Sequence, residues 1–486
     1  VLTIKNYLLV FSIFLMGCSE FGKQVFGKGN CISQDLSCRF SEIYPLVSVA
    51  GGQDDSWEYE EGEELSGGKG MTSFDFTSRA YLQFAPGLPL DKISDFTVGQ
   101  SVFEVPWENS SSGQIDRRGL GPLFNANSCL ACHVGNGIGK VPSGPEETMF
   151  TALVRLSNDP NYGGQFQPFS LNGVPAEGIA SVSYSQIEGV FQDGTSYTLR
   201  KPKVEFSNLN YGPLTSNGDV YSLRNTSKVI GMGLLEAISD ETLLSLQDES
   251  DSNLDGISGR INLVPDLVSG TNKIGRFGWK ANEPNLKQQG SRAFLEDIGI
   301  TSPLFPFKNC TSVQTACDSS PHGTLPELNT TKIDMMVKYM RLIAVPARRS
   351  PSSSEVLMGK RIFFQAGCNS CHISKLSTGN IPGAPEISMQ IIRPYTDLLL
   401  HDMGEGLKDG RPDHLASGRE WRTPPLWGIG LVSKVNGTLQ LLHDGRAETF
   451  MEAIIWHGGE AERSKQHILG LSSSQRNQLV KFLESL

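Results

Sequence analysis

The sequence lacks any dense run of lysine or arginine, and its charge is acidic: 42 Lys and Arg against 52 Asp and Glu leave −10 over 486 residues. Such a surface repels a phosphate backbone, so nucleic acid is not an expected partner. The apolar stretch from Tyr7 to Gly17 is too short to cross a bilayer as a stable helix. Histidine is scarce, eight in all, and none stands between His133 and His322. A metal centre in that interval cannot draw on a second imidazole nearby. What is present is 38% hydrophobic, 8% aromatic and 19% charged residues. That is the composition of a folded chain, at a length that calls for two or three domains.

Lys5 and the apolar stretch after it read as a signal peptide over 1–17. Leu15-Met16-Gly17-Cys18 resembles a bacterial lipobox, with small Gly17 before Cys18 and polar Ser19-Glu20 behind it. The expectation is an exported protein on the periplasmic face of a bacterial membrane, anchored by lipid on Cys18, with an N-terminal extension over 18–70. The nine cysteines agree. Cys18 accounts for one and two Cys-x-x-Cys-His motifs for four. Cys31/Cys38 and Cys310/Cys317 each lie seven apart, a spacing that closes a short disulfide loop. No thiol is left over.

Cys129-Leu130-Ala131-Cys132-His133 and Cys368-Asn369-Ser370-Cys371-His372 are the strongest signals. Two thiols at this spacing form thioethers to the vinyl groups of a haem, and the adjoining His supplies the proximal iron ligand. A zinc site would need the two Cys pairs brought together and would leave two histidines unexplained. A dithiol redox pair needs no His behind it. Two covalently bound haem c groups are therefore expected.

The surroundings repeat as well. Gly359-x-x-x-Phe363 leads into the second motif and Gly99-x-x-x-Phe103 into the first, and Ile230-Gly-Met-Gly-Leu234 matches Trp427-Gly-Ile-Gly-Leu431. Helical spacing over Ile333–Ala344 ends at Val345-Pro346, before a Pro- and Ser-rich stretch that reads as a linker. The expected fold is mainly α with irregular and short-strand insertions. Two cytochrome-c-like haem domains would occupy 71–345 and 346–486.

With these motifs the chain resembles the bacterial di-haem cytochrome c peroxidase superfamily, and within it the di-haem oxidoreductase branch, some of whose members are labelled thiol oxidoreductases. The resemblance runs from about Gly70 to Leu486. It rests on Gly119-Leu-Gly-Pro-Leu-Phe-Asn-Ala-Asn-Ser-Cys129, Gly275-Arg-Phe-Gly-Trp-Lys280, Tyr395-Thr-Asp-Leu-Leu-Leu-His-Asp-Met403, Arg422-Thr-Pro-Pro-Leu-Trp427 and Leu442-His-Asp-Gly-Arg446. It implies that the N-terminal haem meets peroxide while the C-terminal haem receives electrons from a small redox protein. It also implies a distal ligand fourteen residues past His443, which is His457, with Met403 as the rival. Sixteen residues past His133 the superfamily's displaceable His is replaced by Met149. Either Met149 ligates the iron, or it is packing and the iron is open. Glu236 is the carboxylate expected to move a proton in peroxide cleavage, and Trp279 could lie between the haems. Calcium is carried by many superfamily members. Asp251, Asn253 and Asp255 have the alternation of a calcium loop, although Asn262 stands where the bidentate Glu would be. The expected function is a peroxide-reducing oxidoreductase. The alternatives are an electron carrier without substrate chemistry and a haem-based oxidase of another protein's side chains.

Overall fold

A computed structural model describes residues 57–486 except 172, 216–220 and 322–324. The signal peptide, Cys18 and the Cys31/Cys38 pair lie outside the described residues. Six helices build the surroundings of the two Cys-x-x-Cys-His motifs: α1 (Leu90–Glu104), α2 (Leu286–Ile298), α3 (Thr330–Leu342), α4 (Ser354–Gln365), α5 (Phe450–Trp456) and α6 (Ser473–Ser485). Their starts are written in the sequence. Asn285, Asn329, Ser353, Thr449 and Ser472 cap α2 to α6, each side chain accepting from the N–H three residues on.

The repeated Gly-x-x-x-Phe now has a physical reason. α1 crosses α3 at Gly99, where a methyl would overlap the Met335 carbonyl; α4 crosses α6 at Gly359, where it would overlap the Gln478 carbonyl. One turn on, Phe103 stands 5.3 Å from the Tyr339 ring and 5.8 Å from His133. Phe363 stands 5.0 Å from Phe482 and 6.3 Å from His372. Each glycine lets two helices touch, and each phenylalanine then carries that contact to the histidine of its motif.

The expectation of a mainly α chain is overturned: 31% of the structure is helix and 19% strand, in many small sheets. Most of the excess lies between the first motif and α2. β1 (Ala152–Asp159) is flanked by antiparallel β2 (Gly163–Phe166), and two twelve-residue strands, β3 (Ile179–Val190) and β4 (Ser196–Ser207), form a hairpin. β5 (Tyr221–Asn225) pairs with the other edge of β1. The inward side chains of β1 alternate as a half-buried strand requires, with Ala152, Val154 and Leu156 inside. The hairpin reaches two cores. Val182 and Val204 pack with Val154 and Phe166, whereas Phe191 and Leu199 at its far end join the core around α6.

The Pro- and Ser-rich stretch after α3 begins as structure. Val345–Pro346 pairs in parallel with Thr72–Ser73, and Arg348 is buried against Glu63. Cys310 and Cys317 are joined in a disulfide. No described helix is long and apolar enough to cross a membrane.

Candidate functional site

Each motif is a single turn. Cys129–Cys132 is a short helix capped by Ser128, and Cys368–Ser370 is a 3-10 turn entered through Gly367 at φ 75°. His133 N–H donates to the Cys129 carbonyl and His372 N–H to that of Cys368. The turn thereby places two thiols and an imidazole on the wall of one cavity. The first cavity, about 230 Å³, takes Cys129, Cys132 and His133; the second, about 270 Å³, takes Cys368, Cys371 and His372. All four thiols are unbridged. Burial raises their pKa values, to about 12 for Cys132 and Cys368, so they are not thiolates poised for exchange.

The two proximal rings are oriented alike. His133 Nδ1 lies 2.9 Å from the Ser227 carbonyl and His372 Nδ1 2.9 Å from that of Tyr395. A carbonyl only accepts, so Nδ1 carries the proton and Nε2 keeps a lone pair for a metal. Burial pushes both imidazoles down to about 4, which leaves them neutral near pH 7.

In the second cavity His457 is held the same way, Nδ1 2.7 Å from the Ala453 carbonyl, at the C-terminus of α5. His372 and His457 both line this cavity. Met403 also lines this cavity. His401 does not offer a free nitrogen: Nε2 is 2.8 Å from Asp397 and Nδ1 2.7 Å from Glu460. Burial opposes its charge, yet the Asp397 carboxylate bonded to it holds its pKa above the ordinary imidazole value. His443 stacks on Trp421, centroids 3.7 Å apart, and burial lowers its pKa to about 4.

In the first cavity two expectations meet different surroundings. Met149 is buried in the core of Val141, Ala152 and Val154, and is not on the cavity wall. Glu236 is not on that wall either. One of its oxygens accepts from the Leu286 N–H at the start of α2, 2.9 Å away, and the other pairs with Arg341 at 2.5 Å. Its geometry is that of a helix cap. The carboxylates that do line the cavity are Glu296, Asp297 and Asp413. Glu296 is paired with Arg155, and Asp413 with Arg224 and Arg411. Among the described residues no cation forms an ion pair with Asp297; its Oδ1 accepts from Gln165 at 2.7 Å, and burial raises it to about 6 against the pull of Gln165 and the more distant Arg155. Gln289 Oε1, also on this wall, is buried without a partner.

The backbone discloses a further repeat. Phe277 bridges Glu283 and Leu441 bridges Ala447, both antiparallel and six residues apart. Two residues on in each copy come the helix caps, Asn285 and Thr449. Eight residues past Thr449 stands His457; eight past Asn285 stands Ala293. Both line their cavities. The position that holds an imidazole in the second site holds a methyl group in the first. In the same register Trp279 answers to His443. Trp279 lines both cavities, and its Nε1 donates to the Asn225 carbonyl at 2.8 Å.

The loop expected to hold calcium is closed by hydrogen bonds of its own. Asp251 accepts from Gly256 N–H, Asp255 from Ile257 N–H and Asn253 from Asp255 N–H, so the loop binds its own turn. Asn262 is fully buried and points its amide at the Lys280 and Asp413 carbonyls.

The family described as "di-haem oxidoreductase, putative peroxidase" matches residues 173–486. The chain belongs to that family. The match contains the second motif, and the first lies ahead of it. No curated protein matches the chain. Membership in a di-haem family implies haem cofactors, and the residues present fit them. Each cavity offers two thiols at vinyl-attachment spacing and a neutral imidazole with a free Nε2; the second wall is otherwise largely apolar, and the first mixes apolar with charged side chains.

Proposed function

We propose that this member of the di-haem oxidoreductase family reduces peroxide at its first haem site, with electrons entering through the second from a small redox protein. The haems would be held covalently by Cys129 and Cys132, and by Cys368 and Cys371, with His133 and His372 as proximal ligands. When bound, the haems supply irons that change oxidation state and, at a free coordination position, take up a small oxidant. The observation that carries this reading is the pairing of Ala293 with His457. An imidazole on both sides of the second site suits electron transfer, and a methyl at the corresponding place leaves the first site without that ligand. We favour His457 over Met403 because its Nδ1 is pinned and its Nε2 free.

The rest of the work falls to the protein. Trp279 is common to both walls, as is Phe277, and these are the aromatic groups through which the sites adjoin. Reducing one peroxide to two waters consumes two electrons and two protons. Asp297, raised to about 6 by burial, can hold a proton at Oδ2 beside the first site near neutral pH. Export and lipid attachment at Cys18 belong to the same reading, supported by the Cys310–Cys317 disulfide, which suits an oxidising compartment. We assign no ion to the Asp251 loop.

The test is stopped-flow absorbance of the half-reduced, haem-loaded protein mixed with hydrogen peroxide. Rapid oxidation of the reduced haem, catalytic with added donor, supports the reading. Two low-spin haems inert to peroxide would overturn it and leave an electron carrier.

A further inference from the structure

Ten Lys and Arg side chains are buried among the described residues, and nine of them pair with a carboxylate. Arg422 is the exception. Its Nε donates to the Gly278 carbonyl at 2.9 Å and its Nη1 to that of Thr423 at 3.3 Å, both uncharged acceptors. Burial lowers its pKa to about 10, and the one acid whose charge it feels, Asp397, is bonded to His401. A second, half-buried cation also lacks a carboxylate partner among the described residues. Lys228 makes one hydrogen bond, 3.3 Å to the Pro425 carbonyl, and burial alone lowers its pKa to about 8.

Both side chains line both cavities. An unpaired cation in such surroundings is costly unless an anion meets it there. A protein that pairs its other buried cations has left Arg422 unpaired, together with half-buried Lys228, at the junction of two cofactor cavities. Haem is an apolar disc with two carboxylate side chains, and those carboxylates are the anions each cavity would bring.

We infer that Lys228 and Arg422 form one anion-binding wall shared by the two sites, holding carboxylate side chains of both haems. The inference rests on the two-haem reading of the cavities. Its consequence is electrostatic. A cation beside a haem favours the reduced form, so charges common to both cavities set both reduction potentials together.

The experiment is spectroelectrochemical titration of the haem-loaded protein, resolving each haem. Lys228→Met, which removes a poorly solvated charge, is the main variant; Arg422→Gln is the second and Arg422→Lys the charge-conserving control. Lys465→Gln is the control for a cation that lines only the second cavity and is paired with Glu462. Lys228→Met should move the reduction equilibrium of both haems toward the oxidised form by about tenfold, and Arg422→Lys should leave both nearly in place. Unmoved potentials in Lys228→Met, or a shift confined to one haem, would overturn the shared wall. A wild-type mass short of two haems would instead sink the two-haem reading, and this inference with it.

Discussion

Glu236 can be separated from catalysis by two substitutions that treat its oxygens differently. In Glu236→Gln the amide oxygen still accepts from the Leu286 N–H, but the pair with Arg341 is lost. The Arg341 side chain is 43% exposed, so that pair contributes about 0.2–1 kcal/mol. The lost negative charge at the start of α2 adds about 0.3–1 kcal/mol. Together these predict a destabilisation of about 0.5–2 kcal/mol. Glu236→Ala goes further, because Leu286 is buried and its N–H is left without an acceptor. That costs about 1–3 kcal/mol more. Urea unfolding of the haem-loaded protein should rank wild type above Gln above Ala, with the peroxide rate of Glu236→Gln within about twofold of wild type. A peroxide rate that collapses in Glu236→Gln at unchanged unfolding midpoint would refute the capping assignment and return Glu236 to the chemistry.

Ala293→His should convert the first haem to a six-coordinate, low-spin species and abolish its fast reaction with peroxide, leaving the second haem's spectrum unchanged; a high-spin first haem in this variant would discredit the repeat register. Gly359→Ala should cost about 1–3 kcal/mol by forcing α4 off α6, and electronic spectra should show the disturbance at the second haem alone. Glu177 is raised to about 8 by burial, against 4.5 for an ordinary carboxyl. Its stabilisation is complete below about 4.5 and lost as pH rises through about 8, since the folded state holds the proton that the unfolded state has released. Unfolding midpoints across that window should fall with pH in wild type and fall less in Glu177→Gln.

The two Cys-x-x-Cys-His motifs and the helix pairs were legible because local chemistry writes them. Cys-x-x-Cys-His fits in one turn, caps announce five helices, and Gly99 and Gly359 mark two crossings. The β3–β4 hairpin was harder. Stretches such as Ser196-Tyr-Thr-Leu-Arg200 alternate without a strong apolar face, and their strand character comes from pairing with β3 along their whole length. Met149 was placed by counting from His133, and Glu236 by its position just after the Gly231-Met-Gly-Leu-Leu235 element; a position along the chain does not say what a side chain faces, and in the fold Met149 packs with Val141, Ala152 and Val154. Asp297 and Gln289 escaped because a cavity wall is a property of the folded chain. Ala293 had a signal in the sequence, the matching spacing from Asn285 and from Thr449, but the register became plain only from the paired bridges at Phe277 and Leu441.

The hairpin has a consequence for cutting the molecule in two. Its far end gives Phe191 and Leu199 to the core around α6, Asp193 to an ion pair with Arg476 at 2.9 Å, and the Gln192 N–H to the Leu469 carbonyl. A fragment starting near residue 346 would keep its Cys-x-x-Cys-His turn and both imidazoles of the second site, yet expose apolar surface where Phe191 and Leu199 had been. Such a fragment should need the hairpin supplied as a second chain before it behaves as a monomer. The halves that carry the two motifs are thus stitched crosswise, and an independent second half would have to be re-engineered along that seam.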